Sequence, residues 1–136
     1  MSNNHETILY VNLKTLEDNY NYVKNTYCKQ NKIIAVVKAY AYGLGDVEIA
    51  KKLELLAVDG FWVADFEEGV RLRKHGIVKP IMVANPGFKS RSMVLQHDLE
   101  PIIYSQRLLN LYCTDKTHVK IHLKFNTGMK RYGFDV

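Results

Sequence analysis

Lys38 closes a run of five apolar residues, Ile33 to Val37 (IIAVV), and is followed at once by Tyr40 and Tyr42. An amine delivered by a strand, with two phenols beside it, offers a nucleophile or a proton carrier. A second amine, Lys124, lies in the alternating stretch Val119 to Phe125 (VKIHLKF). There Val119, Ile121, Leu123 and Phe125 share one face, and Lys120, His122 and Lys124 share the other. If helices cover the apolar face, the polar face points into a barrel interior or cleft, and Lys124 emerges at the mouth that Lys38 enters. The alternative for Lys124 is a plain solvated lysine. His118 and His122 fall on one stretch of strand, but at ~3.3 Å per residue their backbones stand ~13 Å apart, so one metal ion does not join them and no metal site is expected.

These residues need elements to hold them. Thr7 to Asn12 alternates as a short strand, and Asn12 can cap the helix that Leu13, Leu16, Tyr20, Val23 and Tyr27 mark by steps of three and four. The Ile33 run reads as a strand buried on both faces. After Gly43 and Gly45, Asp46 is placed to cap a helix through Val47, Ile49, Ala50, Leu53, Leu56 and Ala57. Phe61 to Ala64 is the next strand. Asp65 and Glu68 then have capping-box spacing at the head of a helix that Gly76 closes, with Arg71, Arg73 and Lys74 near its negative end. Strands at Pro80 to Ala84, Leu99 to Tyr104 and Val119 to Phe125 follow, separated by helices near Ser90 to Gln96 and after Ser105. Asn85 to Gly87 marks a turn. Five strands alternating with helices argue for a parallel α/β sheet. It is either an open sheet, complete at this length, or part of a (β/α) barrel, which needs eight strands and about 250 residues. In either, ligands bind at the carboxyl ends of the strands, where Lys38 stands.

Composition narrows the function. The chain has 136 residues, a formal charge of +5 and cations interspersed with acids, which supports at most a preference for anionic ligands such as phosphate or carboxylate and does not suggest nucleic-acid binding. No apolar run approaches the ~20 residues that cross a bilayer, and the polar start MSNNHE has no signal-peptide character, so a cytoplasmic protein without membrane contact is expected. Cys28 and Cys113 lack metal-like spacing and are expected to be free thiols.

Two segments carry a resemblance to a known family. VKAYAYGLG, Val37 to Gly45, resembles the alanine racemase motif usually written VKANAYGHG, with Tyr40 for Asn and Leu44 for His. LKFNTGMKRYGF, Leu123 to Phe134, resembles LKxDTGMxRxGF of the same family, with Asn126 for Asp. The intervening DGFWVADFEEGVRLRKHGI and LEPIIYS segments are similar too. The resemblance implies a parallel (β/α) barrel of TIM type, of which residues 13–136 would supply the first five strands of eight, with residues 1–12 as a lead-in strand. It implies pyridoxal 5'-phosphate as cofactor, alanine as substrate and interconversion of its L and D forms to supply cell-wall D-alanine. Lys38 would bond the cofactor covalently and act as acid or base at the substrate's α-carbon. Tyr42 would support the cofactor. Arg131 would contact its phenolic oxygen and bind the substrate carboxylate. Lys124 would be the lysine that carbon dioxide carbamylates in many members, since a carbamate attracts Arg131 where an ammonium repels it.

The family's opposing tyrosine base, its arginine against the pyridine nitrogen and much of its phosphate cup come from later strands and a carboxyl-terminal β domain. The chain is therefore expected to be the amino-terminal part of a longer, homodimeric racemase, inactive alone and with open edges at its first and fifth strands. The alternative is a non-catalytic pyridoxal-phosphate-binding protein or an interaction domain of the same fold.

Overall fold

A computed structural model describes residues 7–113 and 118–136. Helix α1 (Leu13–Thr26) starts where the Asn12 carboxamide oxygen accepts from the N–H groups of Lys14 and Thr15, at 2.9 and 3.1 Å. Then come β1 (Ile34–Val36), the short element α2 (Lys38–Tyr42), α3 (Asp46–Leu55), β2 (Gly60–Asp65), α4 (Phe66–Lys74), β3 (Ile81–Asn85), α5 (Arg91–Gln96), β4 (Glu100–Ile103), α6 (Gln106–Cys113) and β5 (His122–Leu123).

The five strands are parallel and lie in chain order, β1-β2-β3-β4-β5. Phe61 and Val63 of β2, Ile81 and Val83 of β3 and Ile103 of β4 are fully buried on one face, where the helices pack. The other face carries Val36, Trp62, Met82 and Glu100 in register across four strands, with Ile102 beside His122 between β4 and β5. A doubly wound sheet reverses its strand order to place helices on both faces. Sequential order with helices on one face is instead the arc of a (β/α) barrel, the architecture that periodicity left open and the family resemblance implies.

Apolar burial and one cation hold the arc together. The half-buried Arg73 guanidinium donates to the carbonyls of Ile77, Lys79, His97 and Asp98 at 2.7–3.0 Å, tying the end of α4 to the entries of β3 and β4. Inside the barrel face, the Glu100 carboxylate accepts from His122 Nε2 at 2.7 Å and lies 3.8 Å from Lys120 Nζ. His122 thus pairs with a carboxylate of the next strand. Cys28 and Cys113 are free thiols. No helix among the described residues is long and apolar enough to cross a membrane.

Two expectations need correction. Thr7–Asn12, the described part of the expected lead-in strand, belongs to no strand, and Ile8, Leu9, Tyr10 and Val11 are exposed. A strand exists only by pairing, and no described segment pairs with this one. The expected strand Val119–Phe125 contracts to His122–Leu123, because Phe125 bridges forward to Phe134 and the chain turns back on itself. Its apolar face also remains partly open: Leu123 and Phe125 are about half exposed.

Candidate active site

Lys38 stands at the carboxyl end of β1, and the backbone beyond it is unusual. Ala39, Tyr40, Ala41 and Tyr42 all have φ between 52° and 56°, so one turn of left-handed helix follows Lys38, with Gly43 continuing at φ 88°. For residues with a Cβ this conformation costs about 1–2 kcal/mol each, and a run of four is held only if the surroundings over-determine it. Backbone bonds supply part of the support, among them Ala41 N–H to Val37 O at 3.0 Å and Gly45 N–H to Tyr40 O at 2.8 Å.

The rest comes from distant residues. The Glu68 carboxylate accepts from the Ala39 N–H with one oxygen and from the Ala64 N–H with the other, each at 2.7 Å. Asp65 caps α4 as expected, accepting from the Glu68 N–H at 3.1 Å. The return half of the capping box is diverted: Glu68 serves the end of β2 and the neighbouring turn. Asp46 departs from its expected role. It is the first residue of α3, Gly45 holds the cap position, and the buried Asp46 carboxylate accepts from Arg71 Nε and Nη2 at 2.9 and 2.5 Å. Burial works against the Arg71 charge, but the bond to Asp46 and its charge outweigh this, and its pKa is raised. The same guanidinium lies 4.2 Å from the centroid of the Tyr40 ring. The left-handed turn is thus gripped at its first N–H and over its second side chain.

On the far side of the mouth, Lys124 N–H extends the β4–β5 ladder to Ile103 O at 2.9 Å. The chain then loops back so that Phe134 N–H donates to Lys124 O and Asn126 N–H donates to Phe134 O, both at 2.8 Å. The Asn126 side-chain amide donates to Gly133 O at 3.0 Å and to the Asp135 carboxylate at 2.9 Å. An aspartate, the usual family residue here, has no proton for either bond when ionised. Gly133 is required by closeness, since a Cβ there would lie 2.6 Å from Asn126 Oδ1. This loop presents Arg131 and Tyr132. Tyr132 stacks on Tyr104 with centroids 4.8 Å apart, and the Tyr104 hydroxyl donates to Asn85 Oδ1 at 2.7 Å. Burial, and secondarily Tyr132, raise the Tyr104 pKa, which keeps that phenol a donor.

Between these walls lies a cavity of about 390 Å³ lined by Lys38, Trp62, Asp65, Asn85, Lys124 and Arg131, with Ala64, Ala84 and Tyr132. Lys38, Lys124 and Arg131, singled out from the sequence, therefore meet in one place. Tyr42 does not line the cavity; it is exposed on the left-handed turn. Trp62, Asn85 and Tyr132 were not anticipated as site residues. Parity was the available signal for Trp62, which shares the inward face with Val36 and Met82. Three cationic side chains against one lining carboxylate, Asp65, suit an anionic ligand, and the aromatic Trp62 and Tyr132 suit a flat one.

The family model described as alanine racemase, N-terminal domain, matches residues 11–136. The chain is 42% identical over 105 residues to alanine racemase of Aquifex aeolicus, covering 76% of this chain and 30% of that protein. It is 39% identical over 119 residues to alanine racemase of Fusobacterium nucleatum, covering 86% and 34%. Among solved structures, alanine racemase of Clostridium difficile 630 in complex with cycloserine superposes with a TM-score of 0.83 at 34% identity, over 91% of this chain and 35% of that one. The alanine racemase structure from E. faecalis gives 0.84 at 29% identity, over 91% and 35%. The chain thus spans about a third of the length of these relatives. With five parallel strands in barrel order and a match across both walls of the cavity, it belongs to the alanine racemase family, as part of that family's TIM-type barrel domain.

Proposed function

We propose that this chain is the lysine-bearing part of a pyridoxal 5'-phosphate-dependent racemase that interconverts L- and D-alanine in the cytoplasm, for cell-wall supply, in a longer homodimeric protein. The observation that carries the reading is the convergence of Lys38, Lys124 and Arg131 on one cavity at the carboxyl ends of the strands. The donor set fits the cofactor: the Lys38 amine for its aldehyde and the Arg131 guanidinium for its phenolic oxygen. When bound, its conjugated ring accepts the electron pair left as the substrate's α-proton departs.

The chain's own residues do the remainder. Lys38 would hold the cofactor through its amine and would take or return the proton at one face of the substrate's α-carbon. Arg131 would bind the substrate carboxylate and contact the cofactor's phenolic oxygen. Tyr42, on the turn that follows Lys38, supports the cofactor from outside the described lining. Lys124 adds carbon dioxide to its neutral amine and releases one proton, and the resulting carbamate holds Arg131 in place. The base for the opposite face is assigned to the longer protein, so this stretch alone is expected to bind cofactor without racemising alanine.

The test is to incubate the chain with pyridoxal 5'-phosphate, reduce with borohydride and map the added mass by peptide mass spectrometry. Modification concentrated on Lys38, and lost in Lys38→Ala, supports the reading. Modification scattered over the lysines, or absent, refutes it for this chain.

A further inference from the structure

The left-handed turn is the least favourable backbone among the described residues, and it follows the residue on which the chemistry depends. Glu68 is the only described side chain that hydrogen-bonds a backbone N–H of that turn, accepting from Ala39 at 2.7 Å. Its second oxygen is anchored at Ala64, at the same distance, on the strand whose Trp62 and Asp65 line the cavity. One carboxylate therefore fixes the distance between the Lys38 turn and the β2 wall. Charge-assisted bonds of this kind are about twice as strong as neutral ones, and two of them act on one rigid group. Arg71, held by Asp46, lies over the Tyr40 ring but bonds no atom of the turn's backbone.

We propose that Glu68 is a positioning residue: it holds Ala39–Tyr42 left-handed and so sets the Lys38 amine toward the cavity. This rests on the reading of Lys38 as the cofactor lysine, but the clamp itself has a readout that needs no cofactor. Glu68→Gln keeps the shape and one acceptor oxygen, whereas Glu68→Ala removes both.

In the 136-residue chain, amide hydrogen exchange at Ala39 is expected to speed up by roughly tenfold or more in Glu68→Ala, and by less in Glu68→Gln. The amides of Val83 and Ile103, in the buried strands, serve in the same spectra to show that each variant is folded. The share of pyridoxal 5'-phosphate trapped on Lys38 is expected to fall in the same order, and the absorbance band of the lysine-bound cofactor before reduction to shift. Unchanged Ala39 exchange in Glu68→Ala would overturn the clamp, whatever happens at Lys38. Faster exchange with unchanged Lys38 trapping and absorbance would overturn positioning. If Lys38 of the unaltered chain is not labelled at all, the cofactor reading falls and takes the amine's part of the proposal with it, while the exchange data still decide the clamp.

Discussion

On one wall of the cavity, the Lys38 turn and the head of α3 are tied to α4 by Glu68 and by the Asp46–Arg71 pair, across 29 and 25 positions of sequence. On the other, Arg131 rides on a loop whose bonds, from Asn126 to Gly133 and Asp135 and from Phe134 to Lys124, all close within ten residues. The first wall sits over a continuous core, with Val37, Ala41, Val47, Val63 and Val70 buried beneath it. Along the second, Leu123, Phe125 and Met129 are exposed. The amine is therefore preorganised by the tertiary fold, whereas the guanidinium is placed by a local device on a thinly covered strand. Removing a contact from the first wall should cost global stability, and removing one from the second should loosen only its loop.

The largest effect is expected on the Lys38 wall. Asp46→Asn leaves the Arg71 guanidinium without its buried carboxylate, and breaking such a pair costs about 3 kcal/mol, so the urea midpoint should fall clearly. An unchanged midpoint would mean that this wall is no firmer than the other. A smaller, local effect is expected at Asn126. Asn126→Asp places a second carboxylate against Asp135 and removes the donor to Gly133 O, at a cost of about 1 kcal/mol. Amide exchange at position 126 and at Phe134 should quicken, more so at low salt, while the urea midpoint falls by less than in Asp46→Asn.

The smallest effect should go the other way. Tyr112, buried on α6, has a hydroxyl with no hydrogen-bond partner among the described residues. Tyr112→Phe removes that unpaired group and is expected to gain up to about 1 kcal/mol. Burial pushes the Tyr112 pKa from 10.0 up to about 12. Below pH 10 folded and unfolded chains both keep this proton; between 10 and 12 the unfolded chain loses it first, so its contribution to stability declines as pH rises. Unfolding measured at pH 9 and near 11 should show this part of the decline in the parent and not in Tyr112→Phe.

Much of this was legible in the residues. Steps of three and four gave the helices, and apolar runs gave β2, β3 and β4 to within a residue or two. Asp65 was read correctly as a cap because capping is a contact between near neighbours. Asp46 has the same residue type at a similar place, but its carboxylate turned to Arg71, and nothing near it in sequence announces that partner. Thr7–Asn12 failed as a strand for a related reason: alternation marks a capacity to pair, and pairing needs a neighbour.

What the sequence by itself determined is the order of strands and helices, the lysine at the end of the first strand and the second amine on the inward face of the fifth. These follow from periodicity and from residue type. Periodicity left the barrel arc open and the family resemblance implied it; only the tertiary structure decided that Trp62, Asn85 and Tyr132 join the three cationic residues, and that the chain after Lys38 winds left-handed. That last conformation runs against the local preference of Ala and Tyr, so no local signal encodes it. Its support comes from the turn's own backbone bonds and from residues far along the chain, a carboxylate 29 positions away that accepts the N–H the turn presents and a guanidinium over Tyr40.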